Sequence, residues 1–209
     1  KLKELGIPVT YIADYLEEEP LGKAEWLVAF GEMYGKREFA EAHFARISET
    51  YGMWRGRAEG LPQKPSVMLN APYRDVWFVP GDRSYMVKLI EDAGGAYAFA
   101  GMDNSVSRPI SSEAAWMTAQ TADVWINPNQ ARTMEELKSQ NPKFANVPCV
   151  GSGRVFNCTK RSTEAGGSDF WESGAVNPDI VLRDLIICLH PEASGDWGEQ
   201  DTYYFERIK

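Results

Sequence analysis

Histidine is almost missing from this chain of 209 residues: there are two, His43 and His190. Neither has a metal-ligating partner four residues on, and no cysteine is spaced to join it, which excludes a zinc site of ordinary spacing. Cysteine is equally scarce. Cys149, Cys158 and Cys188 are odd in number and form no CxxC pair, so they read as structural or free thiols. One bridge plus a free thiol stays open, since sequence distance does not decide it. Positive charge is in deficit: 22 Lys and Arg stand against 30 Asp and Glu, a net charge of −8 and a pI near 4.9. That balance argues against binding a phosphate backbone, so no nucleic-acid partner is expected. No run approaches the roughly 20 apolar residues of a membrane span. No signal peptide opens at Lys1. No GxSxG, Walker-type loop or GxGxxG occurs, and Gly151-Ser152-Gly153 and Gly167-Ser168-Asp169 read as turns. The acids Asp14 and Glu17 to Glu19 read as a solvated run.

What is present is apolar mass in a patterned form. The chain is 44% hydrophobic and 12% aromatic, enough for a globular core. Lys1 to Gly6 reads as the tail of a helix and Ile7 to Ile12 as the strand after it, the expectation for a chain whose N-terminal part lies upstream. Trp26, Leu27, Phe30 and Tyr34 share one helical face. From about Arg37 to Arg55, Ala40, Phe44, Ile47, Tyr51 and Trp54 step by four and three, an apolar stripe along a long helix. A linker is expected over 56–65, with the main boundary there. Beyond it, apolar runs alternate with helical patterns. Ser66–Asn70, Ala122–Ile126 and Arg154–Asn157 read as strands, and Val76–Val79 as a second apolar patch. Helices are expected from Tyr85 with Ser84 as cap and Gly94-Gly95 as stop, from Pro109 to beyond Glu113, and from Thr133 to Lys138. Residues 166–171 read as a glycine-rich loop. The order predicts an α/β fold: a Rossmann-like lobe with a mostly parallel sheet flanked by helices, preceded by the long helix.

The best-punctuated segment runs from Asn177 to Glu192. Asn177 is placed to cap a helix, Pro178 suits its first position and Asp179 faces the positive end of its dipole. Leu182, Leu185, Ile186 and Leu189 form one apolar face, Pro191 stops the helix, and His190 at its end reads as a cation complementing the dipole. His43 reads as a solvent-facing or satisfied helix residue.

This segment resembles the closing helix of the metal-chelate substrate-binding proteins of ABC importers, which tend to end in "PD-apolar-apolar-x-DLI…HPE". Gly81-Asp82-Arg83-Ser84-Tyr85 with Asp92-Ala93-Gly94-Gly95 resembles the start of their C-terminal lobe. Pro109 to Glu113 is similar to their "x-V-S-x-E" segment, and Ala122 to Ile126 to their "P-D-V-I-I" strand. The resemblance runs from about Gly6 to Ile208. It implies a remnant of an N-terminal lobe over 1–36, a bridging helix and linker over 37–65, and a C-terminal α/β lobe over 66–209. It also implies a function: capture of an iron complex (siderophore or haem) or cobalamin, periplasmic or lipid-anchored outside the inner membrane, and delivery to an ABC permease. No intrinsic cofactor and no covalent chemistry are implied. At Glu113 it implies a salt bridge to permease arginines.

Large flat chelates suit aromatic walls, and pockets on open α/β sheets lie at strand ends and turns. Tyr73, Trp77, Tyr85, Trp125 and Trp171 fall at such places and are the ligand candidates. Arg83, just before a helix start, and Arg108 are placed to meet an anionic ligand. Two other readings use the same scaffold: a metal-cofactor-handling enzyme or metallochaperone lobe, and a protein-interaction lobe without a small ligand.

Overall fold

The computed structural model describes residues 1–73, 76–128, 131–193, 195 and 197–209. Two helices lead, α1 (Pro20–Met33) and α2 (Arg37–Glu59). The α/β part follows in the order β1 (Ser66–Leu69), β2 (Val76–Val79), α3 (Tyr85–Asp92), β3 (Ala96–Tyr97), β4 (Arg108–Ser111), α4 (Ser112–Ala119) and β5 (Val124–Ile126). It closes with α5 (Met134–Gln140), α6 (Pro148–Gly151), β6 (Val155–Asn157), α7 (Asp169–Glu172), α8 (Pro178–Leu189) and β7 (Glu206–Arg207).

The main sheet has the order β3-β1-β5-β6-β7, with every pair parallel except β6 with β7. Its central strands are apolar without alternation because helices cover both faces, the pattern of a buried parallel sheet. A separate antiparallel ribbon pairs β2 with β4.

The apolar stripe of α2 packs as its spacing implies: Ala40, Ile47, Tyr51, Trp54 and Ala58 are buried. Tyr51 Oη donates to Asp92 Oδ2 at 2.6 Å, fastening α2 to the end of α3. Gly31 admits α1 to α2, since a Cβ there would meet Ala40 Cβ at 2.5 Å. Helix α8 lies against α2 and α3 and is buried on nearly every side. Asp184, on α8, has no exposed surface. Its Oδ2 accepts the backbone N–H groups of Tyr203, Tyr204 and Phe205 at 2.7, 2.6 and 3.4 Å, which ties the C-terminal segment to the helix. All three cysteines are buried and free.

Several expectations need correction. Ile7 to Ile12 belongs to no strand; no neighbouring strand lies alongside it among the described residues, and a strand without a ladder leaves its backbone groups to water. Helix α2 continues through Gly56 to Glu59, because Gly56 faces open space where its lack of a side chain costs only about 1 kcal/mol. Pro109 does not open a helix. It sits in β4 opposite Phe78, and α4 starts at Ser112 with Ser111 Oγ accepting the N–H of Ala114 at 3.1 Å. Residues 169–172 are helical rather than loop, since Phe170 buries into the core and draws the turn inward. Ser84 and Asn177 occupy cap positions without side-chain cap bonds; the Asn177 amide donates instead to Ser173 O at 2.8 Å. His190 is no surface cation. It is 1% exposed, and burial lowers its pKa and keeps the ring neutral.

Candidate functional site

Three consecutive parallel strands end in asparagine: Val67-Met68-Leu69-Asn70, Val124-Trp125-Ile126-Asn127 and Val155-Phe156-Asn157. Parallel pairing in register brings these ends to one edge of the sheet. There they line a cavity of about 300 Å³ together with Arg132, Thr159, Ser162, Ser168 and Trp171. Ligands of open α/β sheets bind in this place, outside the carboxyl ends of the strands.

Two of the asparagines turn the chain out of the sheet in the left-handed region, Asn70 with φ 64° and Asn127 with φ 55°. Asparagine enters that region more easily than other residues with a Cβ, and such backbone concentrates at binding sites. Each still extends the ladder by one bond: Asn70 N–H donates to Ile126 O at 3.0 Å and Asn127 N–H to Phe156 O at 2.9 Å. Asn127 Oδ1 accepts from Cys158 N–H at 3.3 Å, and Asn157 spans from Cys158 N–H to Ala131 O.

The rim is built from 158–171. Ser168 Oγ donates to Cys158 O at 2.7 Å, and Thr163 N–H donates to Gly167 O at 2.8 Å. Arg161 pairs with Asp169 at 2.7 Å and lies over the Tyr203 ring. Trp171 stands on this rim, 64% exposed, its ring edge-on to the buried Phe170. The Cys158 thiol is pushed up to about 12 by burial, so it is a neutral group and no nucleophile. Among the described residues no three His, Cys, Asp or Glu gather to hold a metal ion.

Of the residues expected to meet ligand, the cavity collects Trp171. Trp77 and Trp125 are fully buried and stand behind it, a correction to their expected place as ligand walls. Their indoles stack at 5.7 Å with Phe144 edge-on to both, and they donate to consecutive carbonyls, Trp77 to Leu69 O at 3.1 Å and Trp125 to Asn70 O at 2.5 Å. Apolar rings this large gain most by leaving water, so they form the core that shapes the site. Tyr85 is half-buried, donates to Gly174 O at 3.3 Å and is held neutral by burial. Arg83 sits between Glu18 and Asp103 at 3.5 and 3.6 Å. Tyr73 and Arg108 are outside the cavity lining, Tyr73 66% exposed and Arg108 on β4. Glu113 is exposed in the first turn of α4, beside Trp116 and Lys143. Sequence reasoning missed Asn70, Asn127, Asn157 and Arg132. A signal for three of them was present: each asparagine directly follows a buried apolar run.

The polar cavity at the strand ends of this open α/β layer is the candidate ligand site. The chain belongs to the periplasmic binding protein family, which matches residues 4–162. It is 32% identical over 98% of its length to an uncharacterized lipoprotein of Methanocaldococcus jannaschii, covering 47% of that protein. A periplasmic solute binding protein from Veillonella parvula shares the fold with a TM-score of 0.69 and 22% identity, over 94% of this chain and 57% of that one. A periplasmic heme-binding protein from Roseiflexus, in apo form, superposes with a TM-score of 0.69 at 19% identity, over 92% of this chain and 70% of that one. The chain thus spans about half the length of the lipoprotein it matches. No helix among the described residues is long and apolar enough to cross a membrane.

Proposed function

We propose that this chain is the C-terminal lobe and bridging helix of the substrate-binding component of an ABC importer. The bridge is α2, and residues 1–36 are the remnant of the N-terminal lobe. The protein collects a metal chelate (an iron-siderophore complex, haem or cobalamin) and hands it to the permease. It works outside the inner membrane, periplasmic or held there by a lipid anchor. The observation that carries this reading is the cavity at the ends of β1, β5 and β6, which offers amides, hydroxyls, one guanidinium and an exposed indole and lacks a catalytic constellation. An exposed aromatic at a cavity rim offers a face for a flat or greasy chelate. The metallochaperone reading has less to stand on, because among the described residues no three His, Cys, Asp or Glu gather to hold a metal ion.

Calorimetric titration of the full-length protein with haem, cobalamin, a ferric catecholate and a ferric hydroxamate tests the proposal. Micromolar or tighter binding of one of them, weakened at least tenfold by Trp171→Ala, is the expected result. Binding of none would sink the importer reading.

A further inference from the structure

The cavity differs in charge from the chain that builds it. In a protein with 30 acidic residues, no Asp or Glu among the described residues lines it. Three carboxylates near it are engaged elsewhere: Glu136 accepts the Arg132 backbone N–H, Asp169 pairs with Arg161, and Glu206 accepts from Thr159 Oγ1. Arg37, Arg55, Arg83, Arg161 and Arg207 each meet a carboxylate. The exposed Arg132 guanidinium, at the cavity, meets none among the described residues.

The second observation is independent. Asn127 lines the cavity yet is 7% exposed. The Cys158 N–H is shared between Asn157 Oδ1 at 3.0 Å and Asn127 Oδ1 at 3.3 Å, and with Asn127 Oδ1 turned to it Nδ2 is the other end of the amide. That Nδ2 is buried and has no hydrogen-bond partner among the described residues. An orphaned buried donor is costly, and native structures keep one where something else supplies the acceptor. The left-handed backbone of Asn127 holds the amide in this position at the end of β5.

We propose that Asn127 and Arg132 together select a cargo that presents an anionic oxygen edge, a carboxylate or catecholate, to this cavity. The inference rests on the reading of the cavity as the cargo site. The guanidinium supplies charge and a planar fork of donors, and the amide supplies a neutral donor that an anionic oxygen satisfies. Trp171, on the rim, takes the apolar face of the same molecule. A neutral chelate of equal size offers these donors acceptors without charge, so it forgoes the charge-assisted part of both bonds and binds more weakly.

The test is titration of the full-length protein with two probes of similar size, an anionic ferric tricatecholate and a neutral ferric trihydroxamate. Haem and cobalamin serve as further probes. The anionic probe is expected to bind at least tenfold tighter, with affinity falling as salt rises. Asn127→Asp keeps the acceptor for Cys158 N–H and removes the donor; Arg132→Gln removes the charge at an exposed side chain where folding is not at stake. Each is expected to weaken the anionic probe at least tenfold. Equal or tighter binding of the neutral probe, or unchanged affinity in Arg132→Gln, overturns this inference and leaves the importer reading standing. Binding of none of the four overturns both.

Discussion

The indole Nε1 of Trp125 donates to the carbonyl of Asn70 at 2.5 Å, from the middle of β5 to the residue that ends β1. The contact joins core to cavity. One partner is a ring with no exposed surface, and the other is a left-handed residue that lines the site. A carbonyl that has left the ladder needs a new donor, and the buried indole provides it. Asn70 is thereby fixed with its amide at the cavity.

Trp125→Phe keeps most of the ring volume and removes that donor. We expect a loss of about 1–3 kcal/mol in urea unfolding, the cost of leaving a carbonyl without its partner. Cargo affinity of the full-length protein should fall as well, because Asn70 is no longer held. A variant that unfolds with the wild-type midpoint and binds with wild-type affinity would show that the bond supports neither.

Glu113 meets no cation among the described residues, and its carboxylate stands free in the first turn of α4. A lone exposed acid contributes little to folding and suits charge-guided docking, where complementarity sets register and on-rate. Glu113→Arg in the full-length protein is expected to leave cargo affinity and melting temperature intact while reducing uptake through the permease. Transport at the wild-type rate would remove Glu113 from the docking surface.

His190 makes stability depend on pH in a defined direction. Burial lowers its pKa below the ordinary 6.5, and Glu192 stands 3.9 Å from Nδ1. As pH falls through 6.5 the unfolded chain takes up the proton before the folded one does. The stability His190 contributes is therefore complete above pH 6.5 and is lost as pH drops through the depressed folded value. Asp179 and Asp184 act in the opposite sense, because burial raises both carboxyls and the folded state binds their protons more readily. Comparison with His190→Gln isolates the ring, since both acids are common to the two proteins. The stability difference between wild type and variant should shrink from pH 8 to pH 5 in denaturant titrations. A constant difference would mean that the imidazole does not titrate with folding.

Much of the fold was legible in order. The stripe on α2 and the face of α8 repeat at helical spacing, and the central strands are short apolar runs bounded by turns. Such signals are local: a helix or a strand shows its buried face in residues a few positions apart. Legibility failed where an element depends on a distant partner. Ile7 to Ile12 has the composition of a strand but no neighbour to pair with among the described residues, and β4, which contains a proline, is a strand because β2 lies beside it.

The site was legible in smaller part. The sequence by itself determined that the chain is an acidic α/β lobe and that it resembles the metal-chelate binding proteins, and it placed Trp171 in an exposed segment. Only the tertiary structure decided that Asn70, Asn127 and Asn157 converge on one cavity, because parallel register, not chain distance, brings strand ends together. It also decided which tryptophans see solvent. Trp125 sits on a strand covered on both faces and Trp77 on the inward face of the β2 ribbon, so their rings fill the core. Trp171 follows the buried Phe170 on a single helical turn, and that one-residue offset points its ring outward.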